Sequence, residues 1–309
     1  MRVVMVGAGG VGGYIGVRLA AAGHEVAWLA RGATLAALRD RGIALASPQG
    51  EVRLPPQRAS DDAAALGVAD AVIVSVKLYD LAAVAQQLRP LLGAGAAVLP
   101  LQNGVDAHAI LSEALPGAAP LKGTVSIKSS RSGHGVIVAK SDFCRVKMGE
   151  ADGKTTARIE RLAAALNGCV GVTAAIVPDI EAELWRKFVM LASFSAVACL
   201  ARATIGEVLA SAEARGLMFA ATEEAAAVGR ARGVALPADI AAAVLAQVED
   251  MPRDGRPSML EDLVAGRPLE LAYLSGTVVR MGRAAGVPTP IHDVAYRALA
   301  MHEGGRRGI

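Results

Sequence analysis

The sequence predicts an α/β fold: an N-terminal Rossmann-type doubly wound sheet with an antiparallel extension, followed by an all-helical C-terminal domain. Two observations lead to this fold class. Short apolar runs rich in β-branched residues alternate with helical patterns in the first third of the chain, which is typical of a parallel sheet covered by helices on both faces. From residue 178 onward only helical patterns remain. We therefore expect two domains, residues 1–177 and residues 178–309.

The elements of the first domain follow from short apolar runs and the patterns between them. Parallel strands are predicted at residues 2–6, 26–30, 71–76 and 96–100, with helices at 13–22 and 80–88. Runs at residues 124–128, 136–140 and 145–148 follow one another without intervening helices, which predicts the antiparallel extension. A helix at 155–166 and a strand at 170–174 complete this domain.

The second domain begins near Pro178, a residue that is well suited to the first turn of a helix. Helices are predicted at residues 180–199, 213–232, 237–249, 258–265 and 269–285. The apolar run at residues 188–201 has fourteen residues, fewer than the roughly 20 that cross a bilayer, so we interpret it as a helix buried in a domain or dimer core.

Composition indicates a soluble protein of the cytoplasm. Of the 309 residues, 53% are hydrophobic and 3% aromatic, and the net charge of +3 is spread without a basic run. This pattern favours neither nucleic acid nor a membrane surface as a partner. The three cysteines are far apart and odd in number, and the histidines form no metal motif, so we expect a reducing compartment and no bound metal.

The first strand leads directly into a glycine-rich loop, GxGxxG, formed by Gly7, Ala8, Gly9, Gly10, Val11 and Gly12. In a dinucleotide site such glycines allow a tight turn, close approach of the pyrophosphate and close helix packing, while the phosphates lie on free helix N–H groups. The alternative is a glycine-rich turn without a ligand. The position between a strand and a helix favours the dinucleotide site.

The second strand is followed by Arg31 rather than by an acid. An acid about 20 residues past the glycine loop usually contacts the ribose hydroxyls of NAD. An arginine can instead donate two hydrogen bonds to a 2′-phosphate, although it could also be an ordinary solvated side chain. The sequence therefore predicts NADP(H) rather than NAD(H).

Two further polar residues, Lys77 and Asn103, follow later strands. Ligands of open parallel sheets bind beyond the carboxyl ends of the strands, so both residues are expected at the cofactor site. For Asn103 the alternative is a turn residue beside Gly104.

Lys187 is the candidate general acid of the helical domain. Its spacing from Glu183 suits an ordinary surface ion pair on a helix. However, Lys187 immediately precedes the long apolar run, and a partly desolvated lysine has a lowered pKa that suits proton transfer near neutral pH.

Ser258 and Glu261 form an S-x-x-E pattern that predicts a capping box. The same helix N-terminus could receive a substrate carboxylate. Glu270 follows shortly afterwards, at the start of the next predicted helix.

Taken together, these motifs resemble those of the ketopantoate reductase family (2-dehydropantoate 2-reductases), nearly end to end. The resemblance rests on VGAGGVGGYIG at the N-terminus, Arg31, VSVK, LQNGV, GTVS, AELWRK, IGE, PSMLEDL, GRPLE and AAGVPTP. It implies transfer of a hydride from NADPH to the C2 carbonyl of a 2-oxo acid. The expected reaction converts ketopantoate to (R)-pantoate in pantothenate and coenzyme A biosynthesis.

The resemblance also implies roles for individual residues. The implied catalytic residues are Lys187, as the proton donor, and Glu270, which also lies by the cofactor. Beyond the glycine loop and Arg31, the implied cofactor contacts are Lys77, Asn103 and Ser129. The implied substrate contacts are Asn103, Lys187, Ser195 and Ser258.

Three positions depart from the family pattern. Leu191, Ser195 and Ile205 stand where the family typically has asparagines that hold polar groups of the substrate. A site without such hydrogen-bonding groups discriminates less for a substrate hydroxyl. The substrate is therefore either ketopantoate or a related, more apolar 2-oxo acid.

Two rival functions and a homodimeric assembly are further hypotheses. A β-hydroxyacid dehydrogenase is disfavoured by Arg31 and by the AELWRK and PSMLEDL motifs, and a non-catalytic NADP(H)-binding sensor would need neither Lys187 nor Glu270. The long apolar run also suggests a homodimer formed through the helical domain.

Overall fold

The computed structural model describes residues 1–305, and the chain forms two compact units. The first unit consists of residues 1–103 and 107–180. The second consists of residues 104–106 together with the chain from Glu181 onward. The short segment 104–106 thus belongs by its contacts to the second unit.

The first unit contains both strands and helices. In chain order its elements are β1 (Arg2–Val6), α1 (Gly10–Ala21), β2 (Glu25–Leu29), α2 (Gly32–Asp40), β3 (Ile43–Ser47), β4 (Gly50–Leu54), β5 (Ala59–Ser60), β6 (Ala69–Val74), α3 (Leu78–Ala85), β7 (Leu92–Pro100), α4 (Ala107–Ala114), β8 (Lys122–Ser126), β9 (Ser129–Gly133), β10 (Val136–Ala139), β11 (Cys144–Gly149), α5 (Ala157–Asn167) and β12 (Val172–Ile176).

The main sheet has five parallel strands in the order β5-β2-β1-β6-β7. Its central strands consist of small and β-branched apolar residues, and Val3 to Val6 of β1 have no exposed surface. Continuous burial of this kind is typical of a parallel sheet with both faces covered. The α/β fold class with a Rossmann-type sheet is therefore confirmed.

The three strands of the expected extension take part in antiparallel pairs, β8 with β11 and β10 with β9, a strand that was not predicted. They belong, however, to two further sheets, β4-β3-β10-β9 and β12-β11-β8, rather than to the main sheet. The hairpin of β3 and β4 was not predicted from the sequence. Strand β4 is short and polar, with Glu51 and Arg53, and lacks the apolar run that marks the buried strands.

Helix α1 approaches the neighbouring strands closely at two of its glycines. A Cβ atom at Gly13 would lie 2.5 Å from the Ile137 side chain, and one at Gly16 would overlap the Trp28 ring. These two positions require glycine, since neither neighbour is free to move within the buried core. The close packing fixes the N-terminus of α1 directly beyond β1.

The second unit contains seven α-helices among its described residues. They are α6 (Ile180–Ala201), α7 (Ile205–Ala210), α8 (Ala212–Ala231), α9 (Ile240–Glu249), α10 (Ser258–Val264), α11 (Ser275–Ala285) and α12 (Pro290–Leu299). The predicted helix at 269–285 begins later than expected. Leu271–Tyr273 form only a single 3₁₀ turn, and Leu274, with φ −109° and ψ −95°, separates it from α11.

Helix α6 is long and apolar enough to cross a membrane, but two thirds of its most apolar window is buried inside the protein. Val189, Ala192 and Ala196 have no exposed surface and lie in the interior of the helical unit. Burial of this kind is typical of the core helix of a soluble protein. The apolar run that suggested a dimer is thus used largely within its own unit, and the homodimer stays a prediction.

Candidate functional site

Four of the predicted cofactor positions follow neighbouring strands of the main sheet. Arg31 comes after β2, the glycine loop after β1, Lys77 after β6 and Asn103 after β7. Because the strands are parallel, all four positions lie at the same edge of the sheet. Neighbouring strands are about 4.8 Å apart, so the three steps from β2 to β7 span about 14 Å.

The backbone of the glycine loop has the form that a phosphate requires. Gly7 has a φ of +95°, which favours glycine, and it turns the chain sharply out of β1. Gly9 is the N-cap residue of α1, and a Cβ atom there would meet no atom within 4 Å. The space before the helix N-terminus is therefore open, and a side chain at Gly9 would fill it. This geometry fits a dinucleotide pyrophosphate.

Ser75 holds the glycine loop in place. The Ser75 hydroxyl donates hydrogen bonds to the carbonyls of Val6 and Gly7, at 3.1 and 3.2 Å. A Cβ atom at Gly12 would overlap the Ser75 hydroxyl, so this serine fixes both ends of the loop. Sequence reasoning missed Ser75, although it stands within the VSVK motif.

Ser129 lies at the other side of the loop. A Cβ atom at Gly10 would overlap its carbonyl oxygen, which places the start of β9 against the first residue of α1. The Ser129 hydroxyl is buried and has no hydrogen-bond partner among residues 1–305. An unsatisfied buried hydroxyl is costly, so this position is consistent with a polar group of a bound ligand.

Arg31 is the N-cap residue of α2, and its side chain is 80% exposed. Its guanidinium donates a hydrogen bond of 2.7 Å to the Asp80 carboxylate on α3. The sequence did not reveal this ion pair, because the two residues are 49 positions apart. A guanidinium has five N–H donors, so one bond to Asp80 leaves several for a phosphate.

Lys77 and Asn103 are half-buried. Lys77 is the N-cap residue of α3, in an extended conformation at φ −63° and ψ 149°. Asn103 is followed by Gly104 with φ +105°, so the chain bends sharply there, as the alternative turn interpretation of this Asn-Gly pair expected. The turn and a ligand contact are compatible, since the bend involves the backbone and the ligand contact would involve the side chain.

The helical unit brings Lys187 under the electrostatic influence of Glu270. Desolvation lowers the pKa of Lys187 to about 8, and the negative charge of Glu270 partly opposes this shift. The Glu270 side chain is itself buried, with 4% of the residue exposed. Glu183, the expected surface partner, accepts a hydrogen bond of 2.7 Å from Arg186. The arrangement provides an ammonium group that can release its proton near neutral pH.

Leu191 and Ser195 stand one and two turns after Lys187, on the same face of α6. Leu191 is partly buried against the core of the unit, whereas Ser195 has no exposed surface. The Ser195 hydroxyl has no hydrogen-bond partner in the described part of the chain. Beyond Lys187, this face therefore offers one apolar side chain and one buried hydroxyl.

The capping box predicted at Ser258 is wrong. Pro257 is the N-cap residue of α10 in an extended conformation, and Ser258 is the exposed first residue of the helix without a capping hydrogen bond. A capping box exists instead at Thr204 and Glu207, where side chain and backbone bond in both directions. The substrate contact expected of Ser258 stays a prediction.

The two-unit α/β and helical architecture, with a dinucleotide-type glycine loop, defines a class of nucleotide-dependent oxidoreductases. Comparison with known proteins gives the family. The family model of ketopantoate reductase PanE/ApbA matches residues 3–153, and the family model of the ketopantoate reductase C-terminal part matches residues 179–303. The chain belongs to the ketopantoate reductase family.

Individual relatives match over almost their full length. A 2-dehydropantoate 2-reductase of Mesorhizobium japonicum is 30% identical over 98% of this chain and 99% of its own. The uncharacterized oxidoreductase YkpB of Bacillus subtilis is 29% identical with the same coverage. The crystal structure of a PanE/ApbA family ketopantoate reductase from Ralstonia eutropha JMP134 superimposes with a TM-score of 0.89, at 30% identity and 98% coverage of both chains.

Proposed function

We propose that this protein reduces a 2-oxo acid to the corresponding 2-hydroxy acid with NADPH, and that ketopantoate is the substrate and (R)-pantoate the product. The observation that supports this most directly is the lysine of α6, whose pKa is lowered to about 8 beside a buried glutamate. The 2-dehydropantoate 2-reductase relatives support the same substrate class.

NADPH, when bound, supplies the hydride that reduces the C2 carbonyl. The chain provides the groups that hold it: the N–H groups at the start of α1, the open space at Gly9 and the buried hydroxyl of Ser129. Lys77 and Asn103 follow the two adjoining strands and complete this set. We infer NADPH rather than NADH because Arg31 presents an exposed guanidinium after β2.

Lys187 donates a proton from its Nζ atom to the C2 oxygen of the substrate. Its positive charge also stabilises the negative charge that develops on this oxygen. Since its pKa is lowered to about 8, Lys187 releases its proton more readily than an ordinary lysine. At pH 7 the Lys187 side chain is nevertheless protonated in most enzyme molecules. The negative charge of Glu270 favours the ammonium form of Lys187 in this desolvated position.

A more apolar 2-oxo acid is a second candidate substrate, favoured by Leu191. This side chain stands one turn beyond Lys187, where a hydrogen-bonding residue would select a substrate hydroxyl. Ketopantoate carries such a hydroxyl, whereas 3-methyl-2-oxobutanoate does not. The ratio of kcat/KM for these two compounds therefore distinguishes the candidates.

The test is NADPH oxidation by the purified protein with ketopantoate and a panel of 2-oxo acids. A kcat/KM that is highest for ketopantoate supports the proposal. Preference for an apolar 2-oxo acid supports the second candidate, and turnover of none of them would refute the enzymatic function. A protein that binds NADPH tightly without turnover would instead be the non-catalytic sensor.

We further propose that the enzyme works in the cytoplasm as part of pantothenate biosynthesis, and as a homodimer through its helical unit. Three free, buried cysteines agree with a reducing compartment. Light scattering on the purified protein measures its molar mass and so tests the homodimer, because a monomeric mass would exclude it.

A further inference from the structure

A hydrogen-bonded cluster in the helical unit joins the segment at residues 104–106 to helix α11. The Asp106 carboxylate accepts one hydrogen bond from the Thr277 hydroxyl and another, at 3.0 Å, from the Arg280 guanidinium. Arg280 also donates to the Thr277 hydroxyl at 2.9 Å. The three side chains thus form a closed triangle in which each contacts the other two.

This cluster is shielded from water at its centre. Thr277 has no exposed surface and the Asp106 side chain is 13% exposed, whereas Arg280 is 57% exposed. A carboxylate with so little access to water depends on its partners, because a lost hydrogen bond cannot be replaced by solvent. The same helix also contains Arg283, which forms a contrasting ion pair with Asp293 of α12, and these two side chains are 66% and 31% exposed.

The segment held by this cluster is short and bent. Asp106 follows Asn103 by three residues, and Gly104 between them has a φ of +105°. Val105 packs against the core of the helical unit. With Val105 and Asp106 both fixed, the backbone that leaves Asn103 has little freedom.

The cluster also reaches the stretch that follows Glu270. Arg280 donates a hydrogen bond of 3.5 Å to the carbonyl of Ala272, and Thr277 lies 3.4 Å from the same oxygen. Ala272 belongs to the 3₁₀ turn that begins immediately after Glu270. One network therefore contacts the segments next to two candidate site residues.

We propose that Asp106, held by Thr277 and Arg280, is a positioning residue that fixes the backbone of Asn103 for its contacts with cofactor and substrate. The proposal rests on the site role given to Asn103 in the proposed function. Asp106 itself touches neither ligand in this mechanism; it acts through the three-residue bend.

The test is a double-mutant cycle between Asp106→Ala and Asn103→Ala, measured on kcat/KM and on the dissociation constant of NADPH. A displacement of about 1 Å can cost up to about 100-fold in rate, and we expect Asp106→Ala alone to lower kcat/KM by about tenfold. In the Asn103→Ala background the same change should have almost no further effect. Full additivity in both measurements would overturn the proposal.

Thr277 supplies a test that keeps the size of the buried side chain. Thr277→Val removes the hydroxyl and should lower kcat/KM several-fold, whereas Thr277→Ser keeps it and should restore the wild-type value. The matched control is Arg283→Ala, which removes an arginine of the same helix from its ion pair with Asp293 and should leave both measurements unchanged. A Thr277→Val protein with wild-type values would refute the role of the cluster.

The two readouts separate this proposal from the proposed function. If the wild-type protein binds NADPH but reduces no 2-oxo acid, the proposed function fails. The double-mutant cycle measured on the NADPH dissociation constant then still tests the role of Asp106. Absence of NADPH binding by the wild-type protein would overturn both.

Discussion

Each unit contains one pair of a candidate site cation and a carboxylate, and the two pairs lie in opposite surroundings. Arg31 and Asp80, after β2 and on α3, have side chains that are 80% and 32% exposed. Lys187 and Glu270 lie in the helical unit, where Lys187 is half-buried and Glu270 is 4% exposed.

This difference in exposure suits the two pairs to different tasks. Water screens the Arg31–Asp80 pair, so the guanidinium can exchange its partner for a phosphate at little cost. Burial instead lowers the pKa of Lys187 to about 8 and makes its proton available. The same combination of charges can thus serve ligand binding at an exposed position and proton transfer at a less exposed, desolvated one.

Loss of the half-buried cation, Lys187, should have the largest effect. Lys187→Ala removes the proton donor, and we expect kcat to fall by about 10³- to 10⁴-fold. The NADPH dissociation constant should change little, because the glycine loop and Arg31 are intact. Steady-state kinetics and fluorescence titration measure both. The matched control is Arg186→Ala, the exposed neighbour, and full activity of Lys187→Ala would refute the mechanism.

Removal of the buried carboxylate charge should have the next largest effect and also shift the pH dependence. In the wild-type enzyme the rate of reduction should fall as the pH rises through about 8, because Lys187 loses its proton. The charge of Glu270 raises the pKa of Lys187. Glu270→Gln should therefore lower this pKa, move the fall in rate to a lower pH and reduce kcat by about 100-fold. A pH profile of kcat that stays in place would contradict the pairing.

The exposed cation should affect affinity rather than turnover. A hydrogen bond from a charged group contributes about 1.5–3 kcal/mol, so Arg31→Ala should weaken NADPH binding by about 10- to 100-fold. NADH binding should stay nearly constant, because it lacks the 2′-phosphate. Titration of wild type and variant with both cofactors gives the comparison. An unchanged preference would eliminate Arg31 as the determinant.

The exposed carboxylate should matter least. Asp80→Asn removes the negative charge that competes for Arg31, and we expect the NADPH dissociation constant to change by less than about threefold, in the direction of tighter binding. Thermal stability should be nearly unchanged for the same reason. Weaker NADPH binding in this variant would show that Asp80 orients Arg31 rather than competing for it.

The local parts of this molecule could be predicted well. The parallel strands and the glycine loop follow from short-range patterns, namely buried apolar runs and GxGxxG between a strand and a helix. The identical S/T-x-x-E patterns at Ser258 and Thr204 show the limit of such reasoning. Only Thr204 forms the capping box, because the extended Pro257 takes the N-cap position and moves Ser258 into the helix.

The site itself depends on tertiary contacts that no local pattern contains. Asp80 reaches Arg31 from a different helix, and Ser75 reaches the glycine loop from a neighbouring strand. The pKa of Lys187 depends on two tertiary effects, desolvation by the surrounding fold, which lowers it, and the charge of Glu270, which raises it. Sequence reasoning could name the lysine as a candidate, but the fold determines its environment.

The bond between Asp106 and Thr277 joins residues that are 171 positions apart. During synthesis the ribosome therefore releases the whole main sheet long before α11 exists. Domains commonly fold as units while the chain is still being made. The hydrogen bonds that anchor the bend after Asn103 can form only once Thr277 and Arg280 have been synthesised. The anchored form of this bend is thus available only after nearly the entire polypeptide has been made.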